Sequence, residues 1–283
     1  MTERAEVFEV GPRDGLQNEK VMISTTQKVE LVDSLSDCGF RRIEVASFVS
    51  PKWVPQMADG AEVLAKISRR ADCRYAALTP NVRGFEGAVL AKADEIAIFA
   101  SASEGFSQAN INCSIAESIE RFEDVVAAAK AVNLPVRGYI SCVTDCPFDG
   151  PTSPTAVASV AAQLRDLGCY EISLGDTIGQ GTPHSISEML NAVLDEVDAP
   201  KLAGHYHDTA GRALENIRAS LDLGVRVFDA SVGGLGGCPY APGASGNVAS
   251  EAVVALLHGA GFETGIDLDA LRSVADFAKA LRS

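Results

Sequence analysis

Short apolar, β-branched segments alternate with longer segments of helical pattern along the whole chain. The strand pattern occurs eight times, at residues 7–10, 42–46, 74–78, 95–100, 136–143, 170–174, 202–207 and 225–232. The helical pattern lies between them, for example at residues 25–38, 116–131, 153–167, 185–197, 211–223 and 247–257. Because neighbouring parallel strands must be joined by crossovers, this alternation predicts an α/β protein built on a parallel sheet.

Eight such units within 283 residues fit a closed (β/α)8 TIM barrel. A doubly wound open sheet is the alternative. The segment after the first predicted strand, Gly11-Pro-Arg-Asp-Gly15, lacks the G-x-G-x-x-G spacing of a dinucleotide-binding fold. We therefore predict a single barrel domain over residues 1–283, in which residues 267–283 form an additional C-terminal helical segment outside the barrel or over one end.

The composition narrows the range of partners. The formal net charge of −14 argues against nucleic acid and against an anionic membrane surface, so an acidic ligand would need local cations such as Arg13, Lys20 or Lys52. No apolar run approaches the roughly 20 residues of a membrane span. The first residues lack the pattern of a signal peptide and the seven cysteines are scattered, which predicts reduced thiols and a cytoplasmic location.

Polar residues cluster where the predicted strands end. In a barrel of this type the active site forms at the C-terminal ends of the strands, so residues there are functional candidates by position. The candidates after or within strands one, two, six and seven are Arg13, Asp14, Glu44, Ser47, Ser173, Asp176, His205 and His207.

The pair His205 and His207 is the sharpest of these features. Residues i and i+2 of a strand point to the same face, so both imidazoles project together. Asp14, expected at the end of an adjacent strand across the closure of the barrel, could add a carboxylate, and Asn247 an amide oxygen. This favours a metal site over two structural histidines. The mixed oxygen and nitrogen donors favour Mg²⁺ or Mn²⁺, while Zn²⁺, Co²⁺ and Fe²⁺ stay open.

The segment 231–247 is dense in glycine and contains one cysteine, Cys238. Glycines are costly to order, and a chain uses them where the backbone takes positive φ or approaches a ligand closely. A flexible linker is the alternative, but Leu235 and two prolines within the segment disfavour it. We predict a functional loop whose thiol is a proton donor, a nucleophile or a redox-sensitive group.

Four motifs closely resemble the hydroxymethylglutaryl-CoA lyase family, one of the metal-dependent aldolase-type barrels. They are Gly11-Pro-Arg-Asp-Gly-Leu-Gln-Asn-Glu19, Ser47-Phe-Val-Ser-Pro-Lys-Trp-Val-Pro-Gln-Met57, Tyr170-Glu-Ile-Ser-Leu-Gly-Asp-Thr177 and the segment around Cys238. The resemblance runs from about Phe8 to the end of the chain. It implies cleavage of 3-hydroxy-3-methylglutaryl-CoA to acetyl-CoA and acetoacetate, as in leucine degradation, with one Mg²⁺ or Mn²⁺ per subunit.

The resemblance also implies roles for individual residues. The metal ligands would be Asp14, His205, His207 and Asn247. Arg13 would stabilise the enolate on the thioester oxygen, and Cys238 would transfer a proton. Glu44 and Asp176 would be supporting catalytic carboxylates, and Asp14 is our candidate for removing the hydroxyl proton. The substrate-binding residues would be Arg13, Gln17, Ser47 and Ser173.

The implied partner is an acyl-CoA substrate, and a homodimer is expected by analogy. Two alternatives stay open: a lyase for a longer branched 3-hydroxy-3-alkylglutaryl-CoA, and a related Claisen-type carboligase. A third, a catalytically silent metal-binding barrel, is disfavoured by the complete set of candidate residues. The segment His205-Tyr-His-Asp-Thr-Ala-Gly211 departs from the family's usual His-Cys-His-Asp-Thr-Tyr-Gly, and Ala210 could alter the fit of the acyl group.

Overall fold

Eight parallel strands close into a barrel in the computed structural model, which describes residues 3–236 and 246–282. The barrel strands are β1 (Glu6–Glu9), β2 (Arg42–Ser47), β3 (Arg74–Leu78), β4 (Glu95–Ser101), β5 (Val136–Ser141), β8 (Glu171–Asp176), β9 (Leu202–Tyr206) and β10 (Val227–Ala230). Their order around the barrel is β1-β10-β9-β8-β5-β4-β3-β2. The predicted α/β class and TIM barrel are confirmed.

Helices connect the strands on the outside. They are α1 (Thr25–Asp37), α2 (Gly60–Lys66), α3 (Val82–Leu90), α4 (Glu104–Ile111), α5 (Ile115–Ala131), α6 (Pro154–Leu167), α7 (Pro183–Leu194), α8 (Ala213–Asp222), α9 (Ser250–Gly259) and α10 (Leu268–Ala280). Local sequence explains several starts. Ser24 and Gln27 form a capping box at α1, and Pro154 and Pro183 occupy the first position of α6 and α7. The three short helices α2, α3 and α4 have no counterpart among the helical segments named from the sequence.

Two features differ from the predicted strands. A two-stranded ribbon, β6 (Asp145–Cys146) with β7 (Gly150–Pro151), follows β5. The eighth barrel strand ends at Ala230 rather than at residue 232, because the chain turns into a short 3₁₀ helix, Val232–Gly234, in which Gly233 and Gly234 have φ of 65° and 62°. Such positive φ angles are readily adopted by glycine.

The predicted C-terminal helical segment is α10, which packs outside the barrel against α1 and α9. Its buried face is formed by Leu271, Val274, Ala275 and Ala278. None of the helices in the described ranges is both long and apolar enough to cross a bilayer.

The interior of the barrel is only partly apolar. Six buried residues form its apolar cluster: Phe8, Val10, Ala76, Leu78, Ala97 and Tyr139. TIM barrels usually fill this space with layers of branched apolar side chains. Here charged side chains occupy much of it, from Arg137 near the N-terminal ends of the strands to His205 near their C-terminal ends.

Candidate metal centre and active site

Three potential metal ligands converge at the C-terminal end of the barrel. His205 and His207 lie at the end of β9 with their ring centroids 5.4 Å apart, as the alternation of a strand predicts. One donor atom each from Asp14, His205 and His207 lie within 4.8 Å of one another. Nε2 of His205 is 3.9 Å from Oδ2 of Asp14. No other group of this kind occurs in residues 3–236 and 246–282.

Asp14 does not come from a strand adjacent to the histidine strand, and that expectation was wrong. β10 lies between β1 and β9. Asp14 still reaches the histidines because it belongs to a π-helical turn, Gly11–Gly15, that follows β1. The amide N–H of Asp14 donates to the carbonyl of Val10 at 2.7 Å, which fixes this turn at the strand end.

Asn247, the last residue of the glycine-rich segment 231–247, is the fourth member of the group. Its backbone forms an isolated antiparallel bridge with His207, which places it beside the end of β9. The amide Nδ2 of Asn247 donates to Oδ2 of Asp14 at 2.8 Å. All four residues that the resemblance implied as ligands therefore lie together.

The charges in this group suit cation binding. Burial raises the pKa of Asp14, but the Arg13 guanidinium and the two histidines outweigh it and lower this pKa to about 2. Burial and the neighbouring His205 lower the pKa of His207 to about 4, so its imidazole is neutral at neutral pH. The pKa of His205 is raised, because hydrogen bonding and charge interaction with Asp229 outweigh the effect of burial. The site thus contains a carboxylate and an imidazole in the states that metal coordination requires.

One buried atom indicates that the group is incomplete by itself. Nδ1 of His207 is buried and makes no hydrogen bond within the part of the chain that the structure describes. A buried polar atom without a partner is costly, and a ligand or ion at the site would remove that cost. Carboxylate, imidazole and amide oxygen are all donor types that bind divalent metal ions in proteins.

Arg13 lies directly beside this group, buried between two carboxylates. Its Nη1 donates to Oδ1 of Asp14 at 2.5 Å, and its Nε donates to Oε2 of Glu44 at 2.6 Å. Burial disfavours the charge of Arg13, but Glu44 and Asp14 outweigh it and raise its pKa. A guanidinium has more N–H groups than these contacts use, so Arg13 is held in place with donors left for a ligand.

Glu44 and Tyr139 support Arg13 from inside the barrel. The Tyr139 hydroxyl donates to Oε2 of Glu44 at 3.2 Å, and the Arg13 guanidinium lies 5.6 Å from the Tyr139 ring centroid. The other carboxylate oxygen of Glu44, Oε1, is buried and makes no hydrogen bond to any described residue. Burial raises the pKa of Glu44.

The remaining predicted site residues lie at different distances from this centre. Gln17 donates to Oδ1 of Asp14 at 2.8 Å. Ser47 is buried at the end of β2, where its hydroxyl accepts from the amide of Val49 at 3.4 Å. Ser173 donates to Asp229, below the histidines. Cys238 lies outside the described residues.

Asp176 is turned away from the metal ligands. Its Oδ1 accepts from Thr144 at 2.9 Å and its Oδ2 from the amide of Gly181 at 2.9 Å. Ser173 points into the barrel, as does Glu171 two residues before it, and Asp176 comes three residues after Ser173, so the alternation of β8 directs Asp176 outward. Asp176 therefore organises the loops after β5 and β8, and does not contact His205 or Asp14.

Asp229 and Arg137 also belong to this region of the barrel, although no sequence motif indicated them. Asp229 is on β10, in register with His205, and accepts from both Nη atoms of Arg137 at 3.0 and 2.7 Å. Each is a single charge inside an otherwise apolar strand segment. In a barrel such a charge must face the interior and find a partner there, and this pattern could have identified both residues.

The family model for HMGL-like proteins matches residues 4–278. The chain belongs to the HMGL-like family.

Curated relatives of this family member carry closely related names. A Danio rerio protein named 3-hydroxy-3-methylglutaryl-CoA lyase, cytoplasmic, is 58% identical over 96% of this chain and 81% of its own. A Pseudomonas aeruginosa protein named 3-hydroxy-3-isohexenylglutaryl-CoA/hydroxy-methylglutaryl-CoA lyase is 57% identical over 96% of this chain and 90% of its own. Both are similar to this chain over nearly all of its length.

Solved structures agree with the fold. A crystal structure of the HMG-CoA lyase from Brucella melitensis has a TM-score of 0.98 and 62% identity, and covers 99% of both chains. A carboxyl transferase domain of Rhizobium etli pyruvate carboxylase is only 18% identical and has a TM-score of 0.77, over 47% of that chain. At that identity the second likeness shows the barrel fold alone.

Proposed function

We propose that this member of the HMGL-like family is a divalent-metal-dependent carbon–carbon lyase that cleaves 3-hydroxy-3-methylglutaryl-CoA to acetyl-CoA and acetoacetate. The observation that carries the proposal is the convergence of Asp14, His205 and His207 beside a buried, preorganised Arg13. The substrate is proposed from relatives at more than half identity that are named for this lyase reaction.

The reaction has two chemical demands. A retro-Claisen cleavage must remove the proton of a tertiary alcohol, and it must stabilise the carbanion that forms next to the thioester. A divalent cation held by Asp14, His205, His207 and Asn247 would act as a Lewis acid that lowers the pKa of the substrate hydroxyl.

Arg13 meets the second demand. Asp14 and Glu44 fix its guanidinium on two sides, so its unused N–H groups are already oriented when substrate arrives. Preorganised donors aimed at developing negative charge stabilise a transition state more than the ground state. We assign these donors to the thioester oxygen, where the enolate charge appears.

Asp14 remains our candidate for accepting the hydroxyl proton. A carboxyl group whose pKa is lowered to about 2 releases its proton readily, so we propose that the proton passes on to another acceptor. Glu44, which contacts the same Arg13 guanidinium and whose Oε1 has no described partner, is a carboxyl group with the opposite tendency, because burial raises its pKa. We keep Cys238 as the proposed acid that protonates carbon to release acetyl-CoA.

The acyl-CoA class of substrate has independent support. An HMG-CoA lyase from Acinetobacter baumannii, 39% identical with a TM-score of 0.93, was solved in complex with coenzyme A and 3-methylmalate. In this chain Lys20 and Lys52 are exposed on the segments that follow β1 and β2. They are our candidates for the local cations that the phosphates of such a substrate require in a chain of net charge −14.

A lyase for a longer branched substrate is the second candidate. The Pseudomonas aeruginosa relative carries the isohexenyl substrate in its name, and it is as similar to this chain as the relatives named for the methyl substrate. The ratio of kcat/KM for the two acyl-CoA substrates decides between them, because that ratio measures differential binding of the two transition states.

The direct test is acetoacetate release from 3-hydroxy-3-methylglutaryl-CoA by chelator-treated protein, with and without added Mg²⁺ or Mn²⁺. Two matched variants accompany it. His207→Gln changes the metal site, and His258→Gln changes a histidine near the end of α9 whose ring contacts Thr264. We expect metal-dependent turnover in the wild type and in His258→Gln, and none in His207→Gln. Turnover without metal, or unchanged in His207→Gln, would contradict the proposal.

Four finer points are also proposals. We propose one folding domain over residues 1–283, a cytoplasmic location, a role in leucine degradation and a homodimer of 29.7 kDa chains. Calorimetric unfolding in one transition tests the first, cell fractionation the second, and growth of a deletion strain on leucine the third. Sedimentation equilibrium gives the oligomer directly.

A further inference from the structure

Asp229 links the proposed metal centre to the buried ion pairs below it. Its Oδ2 lies 3.1 Å from Nδ1 of His205, and the two residues are in register on β10 and β9. The side chain is completely buried. The proposed mechanism assigns Asp229 no role.

Every described polar neighbour of Asp229 other than His205 donates to it. Ser173 donates to Oδ2 at 2.7 Å, while Arg137 donates to Oδ2 at 3.0 Å and to Oδ1 at 2.7 Å. Both oxygens of Asp229 thus accept from the Arg137 guanidinium, in the bidentate geometry of an arginine–carboxylate ion pair. An ionised carboxylate only accepts hydrogen bonds, so the contact to His205 requires a proton on Nδ1.

That proton decides which imidazole nitrogen can bind a metal. A neutral imidazole protonated at Nδ1 has its lone pair on Nε2. In His205, Nε2 is the nitrogen that faces Asp14, at 3.9 Å from its Oδ2. A carboxylate behind a metal-binding histidine fixes both its tautomer and its ring orientation.

We infer that Asp229 is a positioning residue of the metal centre, which holds His205 in the Nδ1-protonated tautomer and is itself held by Arg137 and Ser173. This inference rests on the metal site of the proposed function and not on its substrate. Asp229 contacts neither the proposed cation nor the proposed substrate, and it acts through His205.

The first test needs no substitution. The chain has only four histidines, so ¹⁵N-histidine labelling and long-range ¹H–¹⁵N spectra of metal-free protein at alkaline pH resolve each tautomer. The signals are assigned with His184→Gln and His258→Gln, which lie outside the site, and with His207→Gln, so that the remaining signal is that of His205. We expect His205 to carry its proton on Nδ1. A proton on Nε2 would overturn the inference.

The second test measures Mn²⁺ affinity by electron paramagnetic resonance in two matched variants. Asp229→Asn removes the charge behind His205 while keeping its shape. Glu171→Gln removes the other carboxylate that Arg137 contacts, at 2.6 Å from its Nε, without touching a proposed ligand. We expect Asp229→Asn to weaken Mn²⁺ binding by about 10- to 100-fold. Glu171→Gln should bind Mn²⁺ as the wild type does.

The outcomes separate this inference from the proposed function. Equal weakening in both variants would mean that the ion pairs stabilise the barrel in general, and it would overturn the specific role of Asp229. Unchanged Mn²⁺ affinity in Asp229→Asn would overturn it as well. Wild-type protein that binds no Mn²⁺ would overturn both the metal site and the role of Asp229 in it. Normal Mn²⁺ binding without lyase turnover would contradict the proposed reaction alone.

Discussion

The barrel interior holds two charged clusters that differ in how completely their atoms are paired. The base cluster, at the N-terminal ends of the strands, consists of Glu6, Arg42, Glu95, Arg137, Tyr170 and Glu171. The mouth cluster, at the C-terminal ends, consists of Arg13, Asp14, Glu44, His205, His207 and Asn247. Both are largely buried, so the difference between them is one of pairing rather than of exposure.

The charged groups of the base cluster are paired almost entirely with one another. Arg42 contacts both oxygens of Glu171, at 2.9 and 3.1 Å, and its Nε contacts Glu6 at 2.5 Å. Arg137 contacts Glu171 at 2.6 Å. The exception is Oε1 of Glu95, which has no described partner, and burial raises the pKa of this carboxyl group. Such a cluster is compatible with a stable fold while its ion pairs are intact. Removal of one partner leaves a buried charge without its counter-charge and destabilises the fold.

In the mouth cluster, several hydrogen-bond donors and acceptors have no partner among the described residues. Nδ1 of His207 and Oε1 of Glu44 have no described hydrogen-bond partner, and Arg13 keeps unused N–H groups. Burying a polar atom without a hydrogen-bond partner costs free energy, and the fold itself does not supply that partner here. The comparison therefore indicates that charge at the base maintains the barrel, while charge at the mouth is arranged for a ligand. Asp229 joins the two, since it accepts from Arg137 and from His205.

The largest expected effect is at the base. Arg137→Met leaves two buried carboxylates, Asp229 and Glu171, without their common cation. Removing one partner of a buried ion pair costs about 3–5 kcal/mol, so we expect a loss of this size in the free energy of unfolding. Urea denaturation of metal-free protein measures it. A change below about 1 kcal/mol would mean that the base cluster does not maintain the barrel.

A substitution in the mouth cluster should instead lower activity and leave stability nearly unchanged. Arg13→Lys keeps the charge between Asp14 and Glu44 but loses the planar fork, so we expect kcat to fall by about 10²- to 10³-fold. Stability should change little, since a cation remains beside both carboxylates. Steady-state kinetics and urea denaturation of the same preparation measure both quantities. Near-normal kcat with reduced stability would assign Arg13 to the structural cluster instead.

Glu9 sharpens the comparison, because it is a completely buried carboxyl group with no cation beside it among the described residues. Its oxygens accept from the amides of Gly11 and Val232 and from the Ser250 hydroxyl. Burial raises its pKa from 4.5 to about 7. Its contribution to stability is therefore fully present below pH 4.5 and is lost as the pH rises through about 7, because the unfolded state then ionises more easily.

Glu9→Gln should remove that pH dependence. Above pH of about 7 we expect the variant to be more stable than the wild type by up to roughly 3 kcal/mol, whereas below the unfolded-state pKa the two should be similar. Denaturation across this range measures the difference. Parallel pH profiles would show that Glu9 ionises normally despite its burial.

The smallest effect is expected at Tyr139, whose hydroxyl donates to Glu44 at 3.2 Å. Tyr139→Phe removes one hydrogen bond and leaves the ring in place beside Arg13. We expect a loss of about 1 kcal/mol in unfolding free energy. A loss several times larger would place Tyr139 among the residues on which the barrel depends.

The sequence predicted the barrel because its repeating pattern is local. Each predicted strand has an observed counterpart, and the i and i+2 spacing of His205 and His207 determines their common face. Contacts between strands were harder to predict from the sequence. The position of β10 between β1 and β9, and hence the reach of Asp14 through its π-helical turn, follows from barrel closure and not from any nearby residue.

Pairing within the barrel was the least predictable feature. Arg137 and Asp229 are 92 residues apart in the chain, and nothing near either one indicates the other. Asp176 shows the converse: its motif pointed to the active site, but the alternation of β8 turns its side chain toward Thr144 and Gly181.

The most direct test of an open, ligand-binding mouth is a Mn²⁺ titration that records bound metal and acetoacetate formation in the same samples. We expect one tightly bound Mn²⁺ per chain and turnover that rises in proportion to the occupied fraction. Turnover at full rate in metal-free protein, or bound Mn²⁺ that persists in His207→Gln, would contradict the assignment of the mouth cluster as a metal-dependent active site.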